Sequence, residues 1–156
     1  MSGYTIHEER LARVPTVAMK ATLSPAEMPR WFADAFEATE TVAASQGAPP
    51  NGPPYARYHV LDGGRFEVEA GFPVPHPITT EGPVYPSELP EGLAARTTHV
   101  GPYERLGEAY RSLEVWVTEH GGEITGDPWE IDLSDPEAQP DPATWRTDVV
   151  MPFRKP

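Results

Sequence analysis

Three acids near the C-terminus stand where a strand would display them together. In Trp129-Glu130-Ile131-Asp132-Leu133 the odd positions are apolar and the even ones carboxylates. In Asp148-Val149-Val150-Met151-Pro152-Phe153 the apolar phase is Val149, Met151 and Phe153. Side chains alternate across a strand, so the odd set is expected to face a helix layer and the even set to face away. If the two strands pair as a hairpin, Glu130, Asp132, Asp148 and Val150 are expected on one outer face. The same offsets place Ala56, Tyr58, Glu67, Glu69 and Gly71 there from the first half of the chain. Two carboxylates on one face raise each other's pKa unless a cation or water separates them. A carboxyl with a raised pKa can act as a general base. The plain alternative is a wet face, which antiparallel sheets commonly have.

Other chemistries find little support. There is no cysteine, which removes disulfides, thiolate metal sites and cysteine nucleophiles. The five histidines, His7, His59, His76, His99 and His120, show no HExxH or close pairing, so no metal is expected. No GxSxG, phosphate-binding loop or dinucleotide fingerprint occurs. A net charge of −12 argues against nucleic acid, which requires a basic footprint. The acidity reads first as solubility, with a modest preference for cationic small molecules. No apolar run is long enough to span a bilayer and no signal pattern opens the chain, so a cytoplasmic protein is expected.

The elements that must position these residues come in two like sets. At 156 residues one domain is expected. Tyr4 to Thr22 reads as a strand or bent strand pair. Ser24, Pro25 and Glu27 form a helix-start pattern, and Trp31, Phe32, Ala35, Phe36 and Thr39 give the helix a buried face. Tyr55–Leu61 and Phe66–Val74 make a hairpin about Asp62-Gly63-Gly64. Leu93–Val100 is again a strand. Gly101-Pro102-Tyr103 opens a second helix with Leu106, Ala109, Tyr110, Leu113, Trp116 and Val117 at helical spacing, ended by His120-Gly121-Gly122. Trp31, Phe36, Tyr110 and Trp116 read as core. Trp129–Ser134 and Trp145–Phe153 close the second set as a hairpin. Corresponding prolines are offset by 77 at the helix starts (25 and 102), 74 at the next strands (54 and 128) and 79 at the ends (73 and 152). A duplicated unit drifts in this way, in loops and helix ends. The expected division is repeat one at 4–75, a proline-rich linker at 76–91 and repeat two at 92–156. The class is α+β, an antiparallel-rich sheet with two helices on one face and a ligand groove at the pseudo-twofold axis.

His99-Val100-Gly101-Pro102-Tyr103-Glu104, Trp116, Pro128 through Pro136 and Thr147 through Pro152 resemble the second half of the GyrI-like domain. This is the AraC-type, or bacterial transcription-activator, effector-binding domain of the SOUL–GyrI superfamily. Pro54 through His59 and Phe66 through Val74 resemble its first half. The resemblance implies two tandem strand-helix-strand-strand modules around a groove for hydrophobic, often cationic, small molecules. It implies Glu130 as the groove acid, with Tyr103, Tyr58, Thr98, Asp148 and Val150 at lining positions. A carboxylate beside aromatic rings suits a cation, because ring faces add cation–π attraction. The family commonly has Glu-x-Tyr on that strand, and here Asp132 stands for the tyrosine. A phenol is lost there and a second groove acid gained.

The resemblance therefore implies a stand-alone small-molecule-binding protein, an effector sensor or sequestering module without its own DNA-binding segment and without a cofactor. Its expected partner is a hydrophobic ligand, cationic or aromatic, and neither nucleic acid nor membrane. The alternative is a hydrolase of strained or electrophilic small molecules, with Glu130 as catalytic base and Tyr58 or Tyr103 replacing the lost phenol. A haem reading would need His59 or His99 as axial ligand and suits an acidic groove poorly. Inhibition of gyrase follows from the family name alone.

Overall fold

A computed structural model of the chain describes residues 3–134 and 138–156. Asp135 and Pro136 of the resemblance motif lie outside the described residues. The fold is α+β. Its strands are β1 (His7–Leu11), β2 (Val14–Leu23), β3 (Tyr55–Val60), β4 (Phe66–Pro73), β5 (Tyr85–Leu89), β6 (Gly92–Val100), β7 (Glu123–Ile124), β8 (Trp129–Asp132) and β9 (Arg146–Arg154), and its helices are α1 (Met28–Ser45) and α2 (Leu106–Glu119).

The chain forms two compact units, Arg13–Pro90 and Met1–Ala12 together with Glu91–Pro156. In the first the strands run β5-β2-β4-β3, and in the second β1-β6-β9-β8, with β7 also on β9. All these pairings are antiparallel. The edge strands are exchanged relative to sequence. β1 precedes β2 yet pairs with β6, and β5 precedes β6 yet pairs with β2. Segment 76–91 therefore carries a paired strand, with Pro86 tolerated because β5 is an edge.

Register repeats along with order. His7↔Arg96 and Leu11↔Gly92 correspond to Tyr85↔Ala18 and Leu89↔Val14, each residue displaced by 78 (85 − 7, 96 − 18). Thr16↔Pro73 corresponds to Ala94↔Pro152, and Tyr55↔Gly71 to Trp129↔Val150. The duplication legible in spaced prolines is thus a duplication of backbone pairing.

Each helix starts in the same manner. Ser24 and Glu27 form a capping box, with the Ser24 amide donating to Glu27 Oε1 at 2.8 Å, and a 3-10 turn at Pro25–Glu27 leads into α1. A matching turn at Tyr103–Arg105 follows Pro102 and leads into α2. Gly47 and Gly121 follow the helices with φ of 73° and 72°, a left-handed conformation that glycine adopts without penalty.

The helices bury their apolar stripes on their own sheets. α1 contributes Val42 and Ala43 to a core with Val17, Phe72 and Val74. α2 contributes Leu106, Ala109, Leu113 and Val117 to a core with Ala95, Val149, Met151 and Phe153. Val149, Met151 and Phe153 therefore mark the helix side of β9, as the alternation predicts.

Candidate functional site

The positions of Glu130 and Asp132 follow from the pairing of β8 with β9. Directly opposed residues in an antiparallel pair point to the same face. Glu130 opposes Val149 and Asp132 opposes Thr147, whereas Trp129 opposes Val150 and Ile131 opposes Asp148. Glu130 and Asp132 thus lie on the helix side, with the core residues of β9. The expectation that they share an outer face with Asp148 and Val150 is corrected. Alternation divides a strand into two faces without saying which one meets the helix. Here Trp129, 3% exposed, and Val150, 1% exposed, are buried on the face away from α2. The acids of β8 take the helix side.

Tyr58 is corrected likewise. It opposes Val68 on β4, and its ring meets Phe32 of α1 edge-on at 6.4 Å, so it lies on the helix side of its own unit. Ala56, opposite Ala70, does the same. Glu67, Glu69 and Gly71 keep the outer phase expected of them.

On the helix side of the Glu91–Pro156 segment, polar groups gather at β8. The Tyr110 hydroxyl of α2 donates to Glu130 Oε2 at 2.5 Å. Tyr110 satisfies the helical periodicity of a core residue, and its polar tip reaches the acid that the sequence singled out. A phenol therefore stands beside Glu130 after all, supplied by the helix and not by position 132. Asp132 is partly buried, and desolvation pushes its pKa up to about 6. Burial disfavours the ionised form of an acid when no charge compensates it.

Across β9, His99 opposes Thr147, so Asp132, Thr147 and His99 form one row over three strands. His99 is 3% exposed. Its Nδ1 is 2.7 Å from the Tyr4 hydroxyl and its Nε2 is 3.0 Å from the Pro102 carbonyl. That pattern fits a neutral ring donating from Nε2 and accepting at Nδ1. With both nitrogens engaged, His99 is poorly placed to ligate haem. Among the described residues, no group of three or more His, Asp or Glu is placed to hold a metal ion.

The remaining candidates lie elsewhere. Tyr103, exposed before α2, packs against Trp145 with ring centroids 4.7 Å apart and the planes tilted by 33°. Thr98, Asp148 and Val150 occupy the face away from α2. Asp148 accepts from Arg96 Nε at 2.8 Å and from the Thr98 hydroxyl at 2.5 Å, and Arg96 Nη2 stands 2.7 Å away. These contacts are internal to the sheet.

An open concavity of about 770 Å³ lies along α2, lined by Tyr4, Ile6, Glu108, Val115, Trp116 and Glu119 among others. None of the sequence-derived candidates lines it. The chemistry-bearing groups cluster at β8.

A family model, described as the GyrI-like small molecule binding domain, matches residues 4–154. The chain belongs to this family. This GyrI-like domain is similar to the C-terminal domain of EcmrR, with a TM-score of 0.83, 21% identity and 99% of each chain covered. It spans 58% of the EcmrR chain in a complex with DNA. A hydrolase from Listeria innocua aligns with a TM-score of 0.73 and 13% identity, covering 99% of this chain and 94% of that one. SAV2435 bound to tetraphenylphosphonium aligns at 0.60 and 11%, covering 96% and 94%. At such identities the likeness is one of fold. No curated protein matches the chain. Among the described residues, no helix is long and apolar enough to cross a membrane.

Proposed function

We propose that this GyrI-like domain binds lipophilic organic cations, with Glu130 as the anionic contact, and serves as an effector-sensing or sequestering module. The observation that carries this reading is the Tyr110–Glu130 hydrogen bond at 2.5 Å on the helix side of β8. A donated phenol orients the carboxylate, and an ordered carboxylate in partly desolvated surroundings attracts a cation more strongly than one in bulk water. Aromatic rings near such an acid add cation–π attraction and apolar contact. The net charge of −12 favours cations at longer range. SAV2435, a protein of the same fold, is seen with tetraphenylphosphonium, which makes that ion a rational probe.

Calorimetric titration with tetraphenylphosphonium and with ethidium tests the reading. Saturable binding is expected with a Kd on the order of micromolar, weakened about tenfold or more in Glu130→Gln. The neutral analogue triphenylphosphine oxide should bind more weakly than either cation. Absence of saturable binding by both cations rejects the proposal.

One observation favours a second reading, hydrolysis of an electrophilic small molecule. The phenol absent at position 132 is present as Tyr110, beside Glu130. In this reading Glu130 takes a proton from water as the water oxygen bonds to an electrophilic carbon, and the displaced electron pair is protonated on the leaving atom. Product formation from strained-ring electrophiles, lost in both Glu130→Gln and Tyr110→Phe, would support it. Binding without product would dismiss it.

A further inference from the structure

The concavity of about 770 Å³ along α2 is lined by none of the β8 acids. Its size is within the usual range for small-molecule sites. One wall is the segment ahead of β1, and that segment is pinned. The Tyr4 hydroxyl bonds to His99 Nδ1 at 2.7 Å, and the Thr97 hydroxyl donates to the Thr5 carbonyl at 2.8 Å. Tyr4, Ile6 and Trp116 pack on the α2 core, so the apolar part of the lining is held in place. The opposite wall is one stripe of α2. Glu108, Ser112, Val115 and Glu119 recur at intervals of four, three and four residues, the spacing of a single helical face.

The charges on that stripe suit a ligand with two positive ends. Glu108 and Glu119 lie 11 residues apart (119 − 108), about 16 Å along the helix axis from the rise per residue. Val115 stands between them, 49% exposed. Neither carboxylate, nor Arg111 on the rim, forms a side-chain hydrogen bond or ion pair among the described residues. Burial and the Glu108 charge push the Tyr4 phenol up, so that carboxylate lies close to the pinned wall. Glu119 closes α2, where the helix dipole disfavours an anion and no basic residue of the last turn offsets it. A cation bound there meets the carboxylate and the negative helix end together. We propose that this trough is a second binding site, separate from Glu130, for linear aliphatic diammonium ions. Each end charge meets one glutamate, and the methylene chain covers Ile6, Val115 and Trp116. An anion is repelled at both ends, a neutral chain leaves both acids unpaired, and a single cation engages only one.

The test is calorimetry on the full chain with dodecane-1,12-diamine, whose extended length matches the separation of the two glutamates. Hexane-1,6-diamine is too short to span them, and dodecylamine carries one charge. The long diamine is expected to bind about tenfold more tightly than either. Glu108→Gln and Glu119→Gln should each weaken it about fivefold and remove most of its advantage over dodecylamine. Glu40→Gln, an equal change of charge at an exposed position of α1, should leave it unaltered. No saturable binding, parity between the long diamine and dodecylamine, or an equal loss in Glu40→Gln would overturn the site and leave the Glu130 reading standing. A loss in Glu130→Gln with none in Glu108→Gln or Glu119→Gln would place the diamine at β8 and overturn the trough.

Discussion

Glu69 and Asp148 occupy equivalent register positions, 79 residues apart (148 − 69), and are held by different partners. Glu69 accepts from the hydroxyls of Tyr55 at 2.8 Å, Tyr85 at 2.7 Å and Ser87 at 3.1 Å. Asp148 is held by the Arg96 guanidinium and the Thr98 hydroxyl. Burial and the Glu69 charge push the pKa of both tyrosines well above the usual phenol value, which keeps them as donors. The residue equivalent to Arg96 is Ala18, which offers Glu69 no guanidinium from that position.

The two acids should respond differently to loss of a partner. Arg96→Ala leaves Asp148, 7% exposed, without its cation, and is expected to cost about 3 kcal/mol. Tyr85→Phe removes one of three donors to Glu69 and should cost about 1 kcal/mol. Urea denaturation of both variants measures the contrast, and equal losses would contradict this account.

Gly71 supports the packing of β4 on β2. A Cβ there would fall 1.8 Å from the Val17 carbonyl oxygen, and backbone cannot move aside as a side-chain tip can. Gly71→Ala is expected to destabilise by about 3 kcal/mol. A melting temperature equal to that of wild type would refute the close approach.

Asp132 gives stability a distinctive pH dependence. Its folded pKa of about 6 lies above its ordinary value of 3.8. Between these values the native state holds more protons than the unfolded state, so this group makes stability fall as pH rises. Asp132→Asn should therefore be more stable than wild type at neutral pH, by up to ~3 kcal/mol. The gain should shrink as pH falls from 6 towards 4. Chemical denaturation at several pH values checks it, and a constant difference would rule out the shifted acid.

Tyr110→Phe isolates the phenol from the ring. Loss of the bond to Glu130 is expected to cost about 1 kcal/mol of stability and to weaken tetraphenylphosphonium binding less than Glu130→Gln does. A phenylalanine variant that binds as poorly as the glutamine variant would shift the anchoring role to the phenol. Paired calorimetry and urea titration separate the two.

Much of the chain declared itself locally. Helix starts at Ser24 and Pro102, stops at Gly47 and Gly121, and the Asp62-Gly63-Gly64 turn all depend on residues close in sequence. The duplication was legible too, because prolines and glycines keep their places at turns. Alternation in β8 separated Glu130 and Asp132 from Trp129 and Ile131 correctly. What it lacked was the sign of the face. The Tyr110 contact was hidden for a related reason: a tyrosine on a helical stripe reads as core whether its hydroxyl meets water or an acid.

Sequence by itself determined the class of fold, the repeated unit and the acids worth attention, since each is written in local spacing and composition. Tertiary structure alone decided which strand each leading segment joined, which face β8 turned towards α2, and that Thr147 would be buried opposite Asp132. Those outcomes depend on pairing partners far apart along the chain. A shift of one residue in register would turn every side chain of a strand to its other face.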